Sequence, residues 1–372
     1  MEQIRILYIN GGPLNRGGIE SYMMNYYRNF DRNKIQIDFV SIGMQKSAYD
    51  DEIESLGGKI YYIPKKSKNY LGYKKALRDI FRKYNYKIVH THMDAMGITA
   101  LKIAKKENIP VRIAHSHNTK HLTNNFIKLK LNEYARKNIN KYTTHMFACS
   151  EVAGRWLFGD ENYNQGNIEI IKNAINIDKF KFNLDNRNKL RISLNITDDE
   201  IVIGHIGRFD YQKNHKFLLE VFKKASDYQS KLKLILIGDG ELRSQIEQQI
   251  KILNIEKKVI IVGIVDNVYE YYNVFDIFVL PSLFEGLPVV GIEAQANGLK
   301  CIFSDTITSE LAINKNVDFI SIEDIDKWSE KICDRTNSIR IDQSSNIRKK
   351  GYDIKYEAIN LQEKYIELHN EN

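Results

Sequence analysis

The chain has 372 residues, of which 43% are hydrophobic, and this length predicts two domains instead of a single core. Its 55 Lys and Arg against 47 Asp and Glu give a net charge of +8. Such an excess of positive charge suggests an anionic partner, such as nucleic acid, a membrane surface or a phosphorylated substrate. The alternative is a lysine-rich composition that has no meaning for function. No apolar run approaches the ~18 residues of a membrane span. The three cysteines lack paired or CxxC spacing, so a cytoplasmic protein with reduced thiols is expected.

The first half of the chain alternates predicted strands and helices. Residues 4–9 predict a buried strand, and a glycine-rich loop (GGPLNRGG, 11–18) and a helix at 19–30 follow it. The early strand and the acidic second residue argue against a signal peptide. The alternation is typical of a parallel sheet. It continues with strands at 35–42, 59–63, 87–90 and 111–114 and helices at 70–84 and 95–107.

The glycine-rich loop does not fit dinucleotide binding. That fingerprint requires Gly-x-Gly-x-x-Gly and an acidic residue at the end of the second strand. Here the glycines are Gly11, Gly12, Gly17 and Gly18, and Asp38 lies inside an apolar run. Both criteria for an NAD site therefore fail.

A polar stretch rich in Asn, Asp and Lys, reaching about residue 188, separates the two halves. The alternation then restarts, with strands at 201–206, 232–237, 259–262, 275–280 and 300–303 and helices at 216–226, 241–253 and 268–272. We therefore predict an α/β protein with two Rossmann-like, doubly wound domains that face a cleft. The domains are residues 1–175 and 176–354, and a last helix at about 355–372 is expected to pack back on the first.

The stretch PSLFEGLPVVGIEAQANG (281–298) predicts a strand end, a tight loop and a helix N-terminus. The first N–H groups of a helix lack intrahelical partners and lie at the positive end of its dipole, so they can bind a phosphate or a sugar hydroxyl. Gly286 would let a ligand approach the backbone closely, and Pro288 fits a first helical turn. This stretch is the leading candidate for a ligand site.

Glu285 and Glu293 do not suit paired-carboxylate hydrolysis. Along one helix they would be roughly 12 Å apart, whereas that chemistry needs ~5 to 9.5 Å. We interpret them as acceptors for hydroxyls of different parts of one elongated ligand, such as a sugar and a ribose. For Glu293, a helix-surface carboxylate is the alternative.

A second candidate follows the strand at 201–206. Gly207 ends that strand, and Arg208 and Lys213 come after it. Ligands of open α/β sheets bind at carboxyl strand ends, where these two cations could hold a diphosphate. Two solvated loop cations are the alternative.

The next two strands end at the same predicted edge of the sheet. The turn with Gly238 and Gly240 is ordinary turn chemistry on its own. After the following strand, a nucleotide base could rest against backbone and apolar side chains at Gly263, Ile264 and Val265.

Together, FEGLPVVGIEAQANG, GRFDYQKN, LIGDGE and GGPLNRGGIE resemble glycosyltransferase family 4 (GT4), whose members are retaining, nucleotide-sugar-dependent and have the GT-B fold. The resemblance spans nearly the whole chain in the family's order. HSHN at 115–118 and IIKNAINIDKF at 170–180 resemble the branch that builds bacterial capsular and extracellular polysaccharides. One departure is Lys300, where the family often has Pro, and we expect it to alter only the helix-to-strand turn.

The resemblance implies an acceptor-binding first domain and a donor-binding second domain. It makes Glu285 and Glu293 the ends of the family's Glu-x7-Glu motif, near the donor sugar and at the ribose hydroxyls. It makes Arg208 and Lys213 the diphosphate-binding pair. It also implies loop and backbone contacts with the substrates at Gly17, Gly18, Gly286, Leu287 and Val289.

The family carries a histidine that faces the sugar from the first domain. His115 and His117 both lie near that place, and His117 is favoured because it directly precedes Asn118. For His90 and His92 we predict strand-end packing or acceptor contacts.

These assignments predict a transferase that moves a sugar from a nucleoside diphosphate donor, a UDP-sugar, to a glycan or polyprenyl-diphosphate-linked hydroxyl with retention. Arg208, Lys213 and the helix dipole would stabilise the leaving diphosphate. No metal or other cofactor is expected, since the sequence shows no Asp-x-Asp at a strand end and no His/Cys ligand cluster. Nucleic acid is not an expected partner. The alternatives are a UDP-sugar epimerase of the same fold and a non-catalytic nucleotide-sugar-binding partner subunit.

Basic helical segments of the first half suit peripheral attachment to an anionic membrane, on the inner face of the cell membrane. Solvated helix faces are the alternative. The segments are residues 65–68, 74–83 and 102–106.

Overall fold

The computed structural model describes residues 3–121, 123, 125–334 and 340–372. The acidic second residue used in the signal-peptide argument lies outside these residues. The chain divides into two compact units. Unit 1 is Met1–Ala174 with Ile354–Asn372, and unit 2 is Ile175–Asp353. The domain boundaries expected from the sequence differ from these by one residue.

Unit 1 contains a parallel sheet of seven strands in the order β3-β2-β1-β4-β5-β6-β7. Its strands are rich in Ile and Val and mostly buried, as expected when helices cover both faces of a parallel sheet. The sheet consists of β1 (Ile4–Asn10), β2 (Ile35–Ile42), β3 (Ile60–Ile63), β4 (Ile88–His92), β5 (Val111–Ser116), β6 (His145–Ala148) and β7 (Ile168–Ile170).

Unit 2 repeats this arrangement with six parallel strands in the order β10-β9-β8-β11-β12-β13. They are β8 (Ile201–Ile206), β9 (Leu232–Ile237), β10 (Val259–Gly263), β11 (Ile277–Leu280), β12 (Lys300–Ser304) and β13 (Val317–Ile320). In each sheet the strand order reverses direction beside the first strand, which creates a crevice at the carboxyl strand ends.

Helices pack on both sheets. The helices are α1 (Gly18–Asn29), α2 (Asp50–Ser55), α3 (Tyr70–Tyr84), α4 (Ile98–Lys106), α5 (Phe126–Asn138), α6 (Glu151–Phe158), α7 (Asp160–Asn164), α8 (Ile177–Phe180), α9 (Leu184–Ser193), α10 (His215–Tyr228), α11 (Arg243–Ile252), α12 (Val268–Val274), α13 (Val289–Ala296), α14 (Ile325–Cys333), α15 (Ser344–Lys349) and α16 (Ile354–Asn370). Among the residues that the structure describes, no helix is both long and apolar enough to cross a membrane.

Helix α16 belongs to unit 1, although it ends the chain. It packs against α1, and it buries Leu361, Tyr365 and Leu368 in the core on that side of the sheet. The hydroxyl groups of Tyr365 and Tyr8 on β1 form a hydrogen bond of 2.7 Å. Because each buried apolar side chain contributes about 1.5–3 kcal/mol, this helix is an integral part of the unit 1 core.

The polar stretch that was predicted to separate the two halves contains two helices, α8 and the first part of α9, which the sequence analysis did not predict. Asn176 and Asn183 cap helices α8 and α9, and their side chains accept hydrogen bonds from backbone N–H groups of the first turns. Asparagine is a favoured N-cap residue, so two of the asparagines in this polar stretch mark helix starts.

Candidate active site

Apart from Val289 and Glu293 on α13, the candidate residues of unit 2 lie at the carboxyl ends of β8, β9, β10 and β11 or on the loops that follow them. These loops are joined by hydrogen bonds. The N–H of Gly207 donates to Ile237 O at 3.0 Å, and the N–H of Gly238 donates to Gly263 O at 2.9 Å. The Gln212 amide donates to Phe284 O at 2.8 Å. The structure therefore brings the predicted loops together at the switch point of the sheet.

Gly238 and Gly240 are required by packing between two of these loops. A Cβ at Gly238, whose φ is +138°, would lie 2.0 Å from Gly207 O. A Cβ at Gly240 would lie 2.4 Å from Phe209 O. This close packing explains the two glycines without a ligand. Their contacts with the nucleotide-sugar donor remain a prediction.

Lys213 and Glu285 form an ion pair that the sequence analysis did not anticipate. The Nζ of Lys213 lies 2.6 Å from Glu285 Oε1, and the side chains are 15% and 9% exposed. Asp210 positions the lysine by accepting a hydrogen bond from its backbone N–H at 3.2 Å. Since the pair is largely shielded from water, its attraction is stronger than that of a surface salt bridge. The alternative of a solvated Lys213 was wrong.

Arg208 differs from Lys213 in its surroundings. Its side chain is exposed, and within the described part of the chain its guanidinium has no hydrogen bond or ion pair. It begins the same loop as Lys213, directly after Gly207. An exposed cation and a cation fixed by an ion pair thus share one loop at the strand edge.

Helix α13 follows β11 after a short loop, in the predicted order of strand, loop and helix. Pro288 is the N-cap residue, one position earlier than predicted, and no side chain caps the helix. Gly286, Leu287 and Val289 are buried around this end. The N-terminal end of α13 can therefore offer backbone N–H groups and the positive end of its dipole to an anion.

Glu293 is buried in the middle of α13, so the alternative of a helix-surface carboxylate was wrong. The hydroxyl of Tyr272 on α12 donates to its Oε2 at 2.7 Å. Burial raises the pKa of Glu293 from 4.5 to about 7, against the opposing effect of the Tyr272 hydrogen bond. A carboxyl group with such a pKa gains or loses its proton near neutral pH.

The end of β10 combines a glycine of positive φ with an exposed apolar side chain. Gly263 has a φ of +85°, which glycine adopts without cost. Ile264 is 65% exposed, and Val265 is half-buried. An exposed isoleucine beside a crevice is compatible with the predicted base contact, which remains a prediction.

Lys300 does more than alter a turn, contrary to the expectation from the sequence. It is the first residue of β12, its side chain is buried, and its Nζ donates to Lys331 O at 2.9 Å and Asp334 O at 3.0 Å. Lys300 therefore ties β12 to the last turn of α14.

In unit 1, Gly17 is the N-cap of α1 and Gly18 is the first residue of that helix, so the predicted loop is shorter than expected. A Cβ at Gly18 would meet nothing within 4 Å. Neither packing nor a positive φ requires glycine there, in contrast to Gly238. The open space would allow a ligand to approach this helix end.

Four buried histidines form an array at the carboxyl ends of β4 and β5. Cross-strand hydrogen bonds join His90 Nε2 to His115 Nδ1 at 3.1 Å and His92 Nδ1 to His117 Nε2 at 3.0 Å. Ligand atoms of His90, His92 and His115 lie within 4.8 Å of one another, so the prediction of no histidine cluster was wrong. His90 Nδ1 also bonds Tyr365 at 2.7 Å, so both of its ring nitrogens are engaged. The array is therefore a hydrogen-bonded network, and metal independence remains a prediction.

The network indicates a tautomer for His117. His92 Nε2 is buried without a hydrogen-bond partner among the described residues. An orphaned N–H is rarer in protein interiors than an orphaned lone pair, so the proton of His92 belongs on Nδ1. Nδ1 then donates to His117 Nε2, and His117 carries its own proton on Nδ1. The sequence also missed Asp94, whose Oδ1 accepts from the His117 N–H at 2.6 Å.

The four histidines should stay neutral when the pH falls. Burial lowers the pKa of His117 from 6.5 to about 3, and burial also lowers the pKa values of the other three. In ¹⁵N NMR we expect no titration of this array between about pH 5 and pH 8, and a proton on His117 Nδ1. The variant His92→Leu should lose the single tautomer of His117, whereas Tyr365→Phe should keep it. Protonation of His117 near its usual pKa would contradict the assignment.

Two parallel-sheet units with candidate residues at their carboxyl strand ends fit the GT-B fold, which is the fold of a large class of glycosyltransferases. The chain has the fold of Anabaena HepE solved with UDP-glucose, with a TM-score of 0.76 and 16% identity over 98% of this chain and 100% of that chain. The lipopolysaccharide outer core galactosyltransferase WaaB gives a TM-score of 0.65 and 18% identity over 96% and 99% of the two chains.

Family profiles and relatives agree with this class. The profile of Glycosyltransferase Family 4 matches residues 16–179, and that of Glycosyl transferases group 1 matches residues 186–352. The putative glycosyltransferase EpsF of Bacillus subtilis is 37% identical over 89% of this chain and 87% of that protein. The UDP-Gal:alpha-D-GlcNAc-diphosphoundecaprenol alpha-1,3-galactosyltransferase of Escherichia coli is 25% identical over 79% and 78%. The chain belongs to the GT4-type glycosyltransferases.

Proposed function

We propose that this glycosyltransferase moves a sugar from a UDP-sugar to a hydroxyl of a glycan or polyprenyl-diphosphate-linked acceptor, with retention of configuration, in polysaccharide biosynthesis. The observation that carries the proposal is the largely shielded Lys213–Glu285 pair, which lies with the start of α13 among the loops at the carboxyl edge of the unit 2 sheet. The name of the Escherichia coli relative states a UDP-galactose donor and a diphosphoundecaprenol acceptor, and HepE was solved with UDP-glucose.

Departure of the diphosphate is the step that these residues assist. When the bond between the sugar and the diphosphate breaks, negative charge grows on the leaving group. Lys213 is already fixed by Glu285, and the exposed Arg208 can close on the diphosphate as a planar fork. Fixed donors and a helix dipole stabilise growing charge without reorganising at the moment of reaction. In this proposal the chain's own cations supply the charge, with no metal or other cofactor.

The other candidates bind parts of the same donor. Glu293 accepts hydrogen bonds from the ribose hydroxyls, and Gly263, Ile264 and Val265 contact the base. The backbone at Gly286, Leu287 and Val289 contacts the sugar and phosphate. For Gly17, Gly18 and His117 in unit 1, substrate contacts rest on the resemblance to the family.

A panel of nucleotide sugars tests the proposal. The protein is incubated with each donor and a lipid extract that contains polyprenyl-diphosphate-linked acceptors, with and without EDTA, and released UDP and glycolipid are measured. We expect UDP release and a new glycolipid for one donor, unchanged by EDTA. Epimerised nucleotide sugar without transfer would indicate an epimerase. Binding of every donor without turnover would indicate a non-catalytic partner subunit.

A further inference from the structure

Asp94 joins the loops that follow two neighbouring strands of unit 1. It is the second residue after β4, and His117 and Asn118 are the first two residues after β5. Its Oδ1 accepts hydrogen bonds from the backbone N–H groups of His117 at 2.6 Å and Asn118 at 3.3 Å. Its Oδ2 accepts from the side-chain amide of Asn118 at 2.8 Å. Hydrogen bonds to a carboxylate are stronger than those between neutral groups, so Asp94 anchors the start of the loop after β5.

The turn that carries this carboxylate is itself held in place. The φ of Asp94 is +46°, in the left-handed region, which aspartate and asparagine tolerate better than most residues with a side chain. Asp94 begins the short 3-10 helix Asp94–Gly97, which packs closely on β4: a Cβ at Gly97 would lie 2.8 Å from the Thr91 hydroxyl oxygen. That hydroxyl donates to Ile113 O on β5 at 3.2 Å. The anchor is therefore fixed with respect to both strands.

Among the four histidines of the array, His117 has a ring nitrogen that solvent can reach. Both ring nitrogens of His90 are engaged, and Nε2 of His92 and Nε2 of His115 are buried without a partner among the described residues. Nδ1 of His117 has no hydrogen bond within the described part of the chain, and it is not one of the buried polar atoms. In the tautomer that the network indicates, this nitrogen carries the proton. His117 therefore directs one N–H donor outwards at the carboxyl edge of the sheet.

We propose that Asp94 is a positioning residue, which holds the backbone of His117 and Asn118 so that the Nδ1–H of His117 keeps one direction towards the substrate. His92 holds the ring of His117 at Nε2 at 3.0 Å, so the ring and the backbone have separate anchors. A donor on a loose loop loses conformational entropy when it binds, whereas a donor with two anchors is preorganised. The inference deepens the proposed function and rests on it for the substrate contact of His117.

Two substitutions of Asp94 separate its hydrogen bonds from its backbone conformation. Asp94→Gly tolerates a positive φ but removes the carboxylate, whereas Asp94→Asn tolerates the same φ and keeps an oxygen that can accept from both backbone N–H groups. In Asp94→Gly the amide hydrogens of His117 and Asn118 should exchange with solvent roughly tenfold faster or more, as measured by NMR, while those in the centre of β5 should not change. Asn108→Gly is the matched control, since Asn108 is exposed, has a φ of +60° and lies in the loop between α4 and β5. It should leave both amides unchanged.

Kinetics show whether Asp94 acts through His117. In sugar transfer, Asp94→Gly should lose roughly tenfold in kcat with little change in KM, because a misdirected donor costs transition-state stabilisation. Asp94→Asn should recover most of this loss. In a protein that already carries His117→Ala, Asp94→Gly should cause little further loss, since an effect transmitted by His117 disappears with its ring. The Kd of UDP, whose proposed site lies in unit 2, should not change.

The outcomes distinguish this inference from the proposed function. Unchanged exchange of the two amides in Asp94→Gly would overturn the inference, and so would additive losses of kcat in the double variant, which would indicate a purely structural carboxylate. Asn118→Ala removes only the bond to Oδ2, so it should show the same changes to a smaller extent at a normal melting temperature. Faster exchange of both amides in Asp94→Gly, together with no sugar transfer by the unchanged protein, would support the anchor and contradict the proposed function.

Discussion

The variant Lys213→Ala should lose about 100-fold to 1000-fold in kcat while remaining folded, the loss typical when one fixed donor to a developing negative charge is removed. Lys213 Nζ lies 2.6 Å from Glu285 Oε1, so the substitution removes the fixed cation and also the partner that orients the carboxylate. The effect should fall on kcat more than on KM, because the charge on the diphosphate grows in the transition state. Steady-state UDP release measures both constants.

Lys216→Ala is the matched control, since Lys216 is an exposed lysine on α10 three positions further along the chain. It should retain normal activity. Lys213→Ala, Glu285→Gln and the double variant form a cycle that measures the coupling of the pair. If the two residues act as one unit, the double variant should be hardly slower than Lys213→Ala. Near-normal turnover of Lys213→Ala would show that Lys213 does not stabilise the leaving diphosphate.

The strand ends could be predicted from the sequence, but the contact between Lys213 and Glu285 could not. Hydrophobic periodicity and glycines placed both residues on loops after parallel strands, which meet at one edge of a sheet. The two residues are 72 positions apart, and their contact depends on side-chain directions within two irregular loops. No local pattern encodes that geometry.

The histidine array shows a feature that the sequence did contain. Alternate residues of a strand share a face, so His90 with His92 and His115 with His117 each project to one side of the sheet. The first pair lies on β4 and the second begins on neighbouring β5. The prediction ended the first strand at His90 and the second at residue 114, which separated His92 and His115 from the pattern. These two misplaced strand ends concealed the network.

Helices α5 and α13 both depart from the rule that a surface helix buries its apolar side and exposes its polar side. Ile127, Leu131 and Tyr134 form an apolar stripe on α5 that faces solvent, so the assumption that such a stripe marks the core fails. In α13 the side chains around the helix are almost all buried, so no polar face exists for Glu293. The burial of this carboxylate depends on packing with α12, including Tyr272, which the sequence does not reveal.

The burial of Glu293 predicts that nucleotide binding depends on pH. Its pKa is raised to about 7 by burial, so near neutral pH the carboxyl is only partly ionised in the free protein. Ribose hydroxyls that donate to it would favour the ionised form. UDP should therefore bind roughly tenfold more tightly at about pH 8 than at about pH 6, and binding below the pKa should release a proton. Calorimetry in buffers of different ionisation enthalpy measures that proton.

The raised pKa of Glu293 also determines how the free energy of unfolding changes with pH. Between 4.5 and about 7, the folded protein keeps a proton on Glu293 that the unfolded chain has lost. This contribution to the free energy of unfolding is therefore present at low pH and is lost as the pH rises through about 7. UDP should offset the loss by stabilising the ionised carboxylate, so its thermal stabilisation should grow with pH.

Glu293→Gln separates this mechanism from other ionisations. Glutamine keeps the size of the side chain but cannot ionise, so the pH dependence of UDP affinity should flatten. At about pH 8 the affinity of the variant for UDP should fall roughly 10-fold to 100-fold, because hydrogen bonds to a charged group are lost. Tyr272→Phe is the matched control: it removes the donor to Oε2, so the pKa of Glu293 should rise further and the binding transition should move to higher pH. If the pH dependence of UDP affinity were unchanged in Glu293→Gln, another ionisable group would be responsible for it. The assignment of Glu293 to the ribose hydroxyls would then be wrong.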